Sequence, residues 1–513
     1  MNRTVVRLSW LAIFTGIILR ASQFFYNRSL WFDEALVSLN IVQRSFFQLF
    51  ESLNYNQGAP VGFLIIEKLL VTLFGQNDLV LRVFPFACSI ISLFLFYKLC
   101  QLYLLPRVIP IALLIFSLVE PLIYYSSEVK QYSSDVFITI LLLVLAKYFE
   151  QDIVTPKKMY SFIAIGALSI WFSHPAIFVL IGTTITLYSS SIVNNQKEKT
   201  AKLKIISLFF ILNFALLYYS NLRNLNKDAI EFFGSGSFTP LPFDSQWLYN
   251  KFLEFFYFIE INKYWLPHIV CLVGVYSLFK KGRGSFFILA SPILVSLLLS
   301  GFHLYPFTHR LLMFLIPIIV IFMVAGVDKL IEKTWGRFSI ITVCLISLFI
   351  YYPSNNAYAH LLNPRTSQEI KACLDYIKQN QMGGDILYLH SKSQYQFKFY
   401  AKQFGFNDEL QVDPSEYSSE HSLKHYFEKP GYITIVQGIA GQPQDIISDL
   451  EKLKGQKRAW VLFSHFSVYN DDSRLLINYL DQVGRRLESL EKPGAYGGAK
   501  VYLYDLSQPL AQD

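Results

Sequence analysis

Charge is what this 513-residue chain has least of: Asp, Glu, Lys and Arg together make up 16% of it, against 53% hydrophobic and 17% aromatic residues. So little charge cannot clothe a globule of this length in hydrated surface, which excludes an ordinary soluble protein. Cysteine is scarce as well. Of five, Cys88, Cys100, Cys271 and Cys344 fall in hydrophobic runs and only Cys373 lies outside them. The polar region therefore has no internal disulfide, and no Cys/His spacing suits a metal. A Gly-rich phosphate loop, an internal repeat and a low-complexity tract are all missing. Acids are outnumbered by bases, 37 to 45, for a net charge of +8. The bases cluster in short loops between apolar runs, a pattern of membrane topology rather than of nucleic-acid binding.

What is present is a succession of apolar runs that ends near Tyr352. A span needs about 20 apolar residues. The candidates are 5–25, 79–103, 108–125, 132–149, 159–173, 175–191, 203–220, 264–280, 284–301, 309–330 and 336–352, about eleven helices. The N-terminal run lacks a small-residue cleavage site and reads as a retained first span rather than a signal peptide. Val61 to Phe74 is apolar but interrupted by Glu67 and Lys68. At about 1.5 Å per residue it reaches only about 21 Å, short of a hydrocarbon core of about 30 Å, so it reads as interfacial.

Charge fixes the parity. With the N-terminus cytoplasmic and 61–74 not crossing, one face receives Arg3 and Arg7, Arg107, Lys157 and Lys158, the lysines at 197, 199, 202 and 204, Lys280, Lys281 and Arg283, and Lys329, Lys333 and Arg337. This is the positive-inside pattern. Residues 26–77 then form an external loop with membrane-hugging helices at about 33–50 and 61–74. The first carries Leu36, Leu39, Val42, Phe46 and Phe50 as an apolar stripe that would lie on the bilayer. The chain divides into a membrane-embedded domain, 1–353, and a soluble extracytoplasmic domain, 354–513. In the latter, helix-like stretches (366–380, 442–455, 471–483) alternate with strand-like runs beginning at Asp385, Tyr432 and Ala459. A last strand begins at Lys500, after a hairpin-like turn at Gly494, Gly497 and Gly498. The expected fold class is a polytopic α-helical membrane protein plus a C-terminal soluble α/β domain, and the expected location is the plasma (inner) membrane.

Within the external loop, Leu30-Trp31-Phe32-Asp33-Glu34-Ala35 places two acids just after the first span. Acids at that depth mark a site, or open an interfacial helix whose N-terminus they complement. The same topology puts Lys68, Arg82, Glu128, Lys130, Asp135, His174 and Arg310 near the outer surface. Each has a structural alternative. Lys68 and Arg82 can snorkel to headgroups, Glu128 and Lys130 can pair locally, and His174 beside Pro175 can serve a turn. Arg310 is best suited to phosphate, because its planar fork matches phosphate oxygens. One chemistry uses the whole set. An acceptor hydroxyl attacks an anomeric carbon that gains oxocarbenium-like charge. A carboxylate takes the proton, and Arg or Lys stabilises a departing lipid phosphate. The cations make a metal unnecessary: no cofactor is required, and a divalent metal is not indicated.

The motif after the first span resembles the acidic first-loop motif of GT-C fold membrane glycosyltransferases. The similarity is greatest to the glycosyltransferase family 39-like group of protein O-mannosyltransferases and aminoarabinose transferases. Gly58-Ala-Pro-Val-Gly-Phe, Leu81-Arg-Val-Phe-Pro, Tyr124-Tyr-Ser-Ser-Glu-Val-Lys-Gln-Tyr-Ser, Trp171-Phe-Ser-His and Thr308-His-Arg follow in the order of that group, over roughly residues 1–350. The resemblance implies Asp33 as catalytic base with Glu34 in support, Lys130 and Arg310 at the donor phosphate, and Glu128 and His174 in the cavity. Their place on the same outer face adds Arg82 as a phosphate-binding candidate and Asp135 and Lys68 as cavity-lining candidates. It also implies a polyprenyl-phosphate sugar donor and a glycan, lipid or protein acceptor. Aminoarabinose transferases carry Lys where this chain has Ala59, which argues against identity with that enzyme. The alternatives left open are a lipid-diphosphate glycan ligase or polymerase, a lipid or glycan transporter, and an inactive scaffold. Transport is disfavoured because the spans are apolar at mid-depth.

Overall fold

The computed structural model describes residues 2–151, 154–220, 223, 233–261, 265–334, 339–406, 433–439, 442–465, 472–494 and 497–507. The chain forms two compact units. The first comprises Met1–Tyr26, Phe46–Ser52 and Gly58–Pro364; the second comprises Asn27–Ser45, Leu53–Gln57 and Arg365–Asp513. The second unit is thus discontinuous in sequence, and it contains the acidic motif.

The first unit is a helix bundle. Among the described residues, seven helices are long and apolar enough to cross a membrane, or eight when the bent pair Pro106–Leu118 and Glu120–Ser127 is taken as one. The chain is therefore a multi-pass membrane protein. The 64° bend in that pair falls at Pro121, which has no N–H to continue the helical ladder. Pro156–Phe172 and Leu266–Lys281, expected to span, are helices of 17 and 16 residues. The expected span at 309–330 begins with a 3-10 turn, His309–Leu315, before the α-helix Ile316–Thr334. Pro317 sits in the first turn of that helix, where its missing N–H costs nothing.

Helix α1, Arg3–Phe25, carries Arg20 only 1% exposed. Arg20 donates to Ser89 Oγ at 2.8 Å and to the carbonyls of Gly16 and Ser117 at 3.1 and 3.2 Å. A buried cation in a span persists only with such partners. The helices Leu266–Lys281 and Ile316–Thr334 approach through paired glycines. A Cβ at Gly274 would lie 1.7 Å from the Phe322 carbonyl oxygen, and one at Gly326 would lie 1.9 Å from that of Val270. Small residues at such contacts allow the backbone-to-backbone packing by which membrane helices associate.

Helix α3 spans Val61–Phe74, as the sequence predicts. It packs one face through Gly62, where a Cβ would meet the Phe172 ring at 2.8 Å. Leu69, Leu73 and Phe74 are exposed on the other face. Helix α2 differs from expectation. It runs from Phe32 to Gln43 rather than to residue 50, and a short 3-10 turn, Gln48–Phe50, follows. Leu36 and Leu39 are 0% and 3% exposed, so the forward part of the stripe is core of the second unit instead of lipid-facing surface. Phe46 and Phe50 lie outside the helix and remain exposed.

The second unit is built on a five-stranded mixed sheet of order β2-β1-β3-β5-β4, where β1 is Ile386–Leu389, β2 Thr434–Gln437, β3 Ala459–Ser464, β4 Arg485–Lys492 and β5 Ala499–Asp505. The parallel pairs β1–β2 and β1–β3 align Leu387 with Ile435 and with Trp460. β3–β5 and β4–β5 are antiparallel. Helices Ile370–Asn380, Pro443–Leu450 and Asp472–Val483 match the expected stretches. Helix Ser393–Tyr400 and strand β4 do not appear in the sequence reading. β4 reads Arg-Arg-Leu-Glu-Ser-Leu-Glu-Lys with an exposed-to-intermediate pattern, the charged composition typical of a protected sheet edge and not of a buried strand. The turn from β4 to β5 holds Gly498 at φ 69°, where a Cβ would fall 2.2 Å from the Lys492 carbonyl oxygen.

Candidate active site

In the second unit, the motif is tied down group by group. The Ser29 N–H donates to the Glu369 carboxylate at 3.2 Å, and the Leu30 N–H donates to Tyr400 Oη at 2.7 Å. Gln396 Nε2 donates to the Leu30 carbonyl at 2.8 Å, and Gln368 Oε1 accepts from the Phe32 N–H at 3.0 Å. Glu34 accepts from the Trp31 N–H at 3.2 Å, satisfying a backbone donor ahead of α2. A loop with so many main-chain groups held in this way has a fixed course, and apart from Glu34 the residues that do the holding come from Arg365 onward.

The two acids of the motif are not equivalent. Glu34 is fully buried, capping α2 and lying 3.7 Å from the Arg28 guanidinium, which is also fully buried. Asp33 stands in the first turn of α2 and is half-exposed. Negative charge there complements the helix N-terminus. Of the two, Asp33 is the more accessible carboxylate, and Glu34 is the one that shapes the turn.

In the first unit, Glu128, Asp135 and Arg310, three of the polar residues expected at the outer surface, gather around three tyrosines. Tyr125 lies in the electrostatic field of both Glu128 and Arg310, and its ring packs edge-on to Tyr132 at 5.1 Å. Arg310 sits over the Tyr132 ring at 5.8 Å. Tyr305 feels both Asp135 and Tyr132, while its hydroxyl donates to the Leu311 carbonyl at 2.9 Å. Ser173 lies against the Asp135 carboxyl, which brings the neighbouring His174 to the same place. Lys130 is buried, with its N–H donating to the Glu128 carbonyl at 2.7 Å. Arg82 is completely buried at the end of a 3-10 turn, Val80–Arg82, that leads into helix α4, Val83–Tyr103. Arg310 is half-buried. Burial lowers His174 to about 4, which leaves its imidazole neutral at pH 7 and not a cation.

Helix α3 contributes a residue the sequence analysis passed over. Glu67, not Lys68, points inward: Glu67 is fully buried and Lys68 is half-exposed. Glu67 falls one turn after Phe63 and Leu64, on the packed face of the helix. Both its carboxylate oxygens are buried without a hydrogen-bond partner, and burial raises its pKa well above the usual carboxylate range. Glu67 and Asp135 both act on Cys88, so the two acids share a neighbourhood. The tyrosines were also passed over as individuals, although Tyr125 and Tyr132 belong to the quoted motif around Glu128. Among the described residues, no three His, Cys, Asp or Glu side chains converge as a metal-ligand set.

No family model and no curated protein matches the sequence. Solved structures do match. ArnT from Cupriavidus metallidurans aligns over 99% of both chains, with a TM-score of 0.51 and 11% identity when bound to undecaprenyl phosphate, and a TM-score of 0.52 in the apo state. An Archaeoglobus fulgidus oligosaccharyltransferase tethered to an acceptor peptide aligns over 99% of this chain and 75% of its own, with a TM-score of 0.50 and 11% identity. Over nearly its whole length, then, the chain has the GT-C fold of these membrane glycosyltransferases.

Proposed function

We propose that the protein transfers a sugar from a polyprenyl-phosphate carrier to an acceptor hydroxyl on the extracytoplasmic face of the membrane, with inversion. The observation that carries the reading is the unequal placement of the two motif acids. Glu34 is buried in the cap of α2, and Asp33 is half-exposed on a backbone held by hydrogen bonds. The fold supports it, since one similar structure contains undecaprenyl phosphate and another an acceptor peptide.

In this mechanism the acceptor oxygen attacks the anomeric carbon as the carbon–oxygen bond to phosphate breaks. Asp33 takes the acceptor proton and offsets the positive charge that develops on the sugar. Arg310, Lys130 and Arg82 supply positive charge for the departing phosphate, with the Arg310 fork suited to two of its oxygens. Attack opposite the leaving group inverts the anomeric centre. Glu128, Asp135 and His174 serve as hydrogen-bonding walls of the donor cavity, and Lys68 lies at its membrane edge. The N-terminus is cytoplasmic and the second unit extracytoplasmic in the plasma membrane.

The test is transfer from a radiolabelled polyprenyl-phosphate sugar by the purified full chain in lipid nanodiscs. Wild-type protein should release polyprenyl phosphate and label the acceptor, and Asp33→Asn should lower the rate by about 100-fold or more. Equal transfer by Asp33→Asn would overturn the assignment of the base. Competition by an unlabelled diphosphate carrier, but not by the monophosphate, would favour the ligase reading instead.

A further inference from the structure

We propose that Gln368 and His465, from the sheet-bearing part of the second unit, form a positioning relay that sets the geometry of Asp33. This rests on the reading of Asp33 as the base. Neither residue belongs to the motif, and they are more than 300 positions away from it in sequence. The Gln368 carboxamide faces two ways. Its oxygen accepts from the Phe32 N–H at 3.0 Å, and its nitrogen lies 2.8 Å from His465 Nδ1. With the oxygen committed to Phe32, the carboxamide nitrogen must donate, so His465 Nδ1 is the acceptor and its ring proton resides on Nε2. The imidazole then stacks on the Phe32 ring, with centroids 4.5 Å apart and planes 21° apart, and Tyr395 closes the edge of the same ring at 5.5 Å.

Phe32 is consequently fixed through both its main chain and its side chain. Phe32 is the residue immediately before Asp33, so the relay holds the Trp31–Phe32 peptide and the Phe32 ring that lead directly into the base. The backbone offers a second, independent sign. His465 adopts φ 58°, a left-handed conformation that is uncommon for non-glycine residues, and such outliers gather at functional sites. Residue 465 follows β3 directly, and an ordinary extended continuation of the strand would carry the ring elsewhere. The strain places the imidazole under Phe32. A displacement of about 1 Å at a reacting group is enough to cost about 100-fold in rate, which is why such a device would be kept.

The test uses the full chain in nanodiscs, with Asp33→Asn as the reference. Gln368→Leu removes both hydrogen bonds of the relay. His465→Phe keeps an aromatic stack on Phe32 but removes the acceptor for the Gln368 nitrogen. We expect each to lower kcat by about tenfold or more, with KM for the lipid-linked donor within about twofold, because the relay orients the base and does not bind the lipid. Gln368→Glu keeps an acceptor for the Phe32 N–H and, with His465 protonated at Nδ1, accepts from the imidazolium in place of the lost carboxamide bond, so it should recover most of the lost kcat. Hydrogen exchange at the Phe32 amide provides a readout independent of activity: protection should fall in Gln368→Leu and persist in Gln368→Glu. Wild-type kcat and unchanged Phe32 protection in Gln368→Leu and His465→Phe, with Asp33→Asn inactive, would overturn the relay alone. An active Asp33→Asn would overturn the reading of the base on which it rests. An equal loss of kcat in Gln368→Glu and Gln368→Leu would show that the Phe32 bond is not what matters and would also reject the relay.

Discussion

Replacing Glu34 with alanine should destabilise the second unit without touching the acid assigned to chemistry. The Glu34 carboxylate lies 3.7 Å from the Arg28 guanidinium, both side chains are 0% exposed, and the same carboxylate accepts from the Trp31 N–H. Truncation takes the carboxylate away from a buried guanidinium, at a cost of about 3–5 kcal/mol, and removes a helix-cap hydrogen bond worth about 1 kcal/mol. For a unit of this size, each kcal/mol shifts Tm by about 2–4 °C, so the expected fall is about 8–24 °C. Trp460, fully buried in β3, and Trp31 are the buried tryptophans of that unit, and a Trp31→Phe background lets Trp460 report its opening through fluorescence. Asp33→Asn, at a half-exposed position, should move the same transition by no more than about 2 °C while abolishing transfer. The double replacement Arg28→Met/Glu34→Met should recover much of the loss, because no unpaired charge remains. If Glu34→Ala left the Trp460 transition unchanged, or the double replacement were as unstable as the single one, the buried pair would not be the structural anchor argued for here.

Three further outcomes can be checked directly. Arg310→Gln should reduce kcat by about 100-fold through lost stabilisation of the leaving phosphate, with Arg310→Lys intermediate because it keeps the charge but loses the fork; single-turnover release of polyprenyl phosphate measures it. His390 is buried in the second unit, and burial, then Lys392 and His465, lower it from 6.5 to about 3. The unfolded chain therefore takes up this proton first on acidification. Its contribution to stability is complete above about pH 6.5 and is lost as pH falls toward about 3, by up to about 2 kcal/mol at about pH 5. Trp460-monitored unfolding across that range, compared with His390→Gln, should show the slope only in wild type. Gly326→Ala drives a methyl group against the Val270 carbonyl oxygen, so the two helices must separate. A loss of at least about 1–3 kcal/mol should appear as a lower thermal aggregation temperature in detergent, and an unchanged temperature would refute the close approach.

Much of the architecture was legible because it rests on local composition. The apolar runs, the helix Val61–Phe74 and four of the five strands follow from hydrophobic length and period, which the bilayer and the sheet each impose on any sequence. The Asp33-Glu34 pair stood out for a similar reason, as charge in an apolar setting. Strand β4 escaped because an edge strand carries charge on purpose. Glu67 and Lys68 are neighbours of opposite sign, and no periodicity says which side of α3 faces the bundle. Gly62 against Phe172 decides it.

The acidic motif itself divides along the same line. Sequence alone determined that two carboxylates follow the first span, and that bases and acids sort by loop. Only the tertiary structure decided that Glu34 is consumed by a buried cap and Arg28, that Asp33 is the half-exposed one, and that residues from 365 onward hold the peptide carrying it. Those hydrogen bonds join groups 336 to 370 positions apart. They run from Gln, Glu and Tyr side chains to main-chain N–H groups, which every residue but proline possesses. A contact of that kind has no period and no composition, so it becomes visible only when the chain is folded.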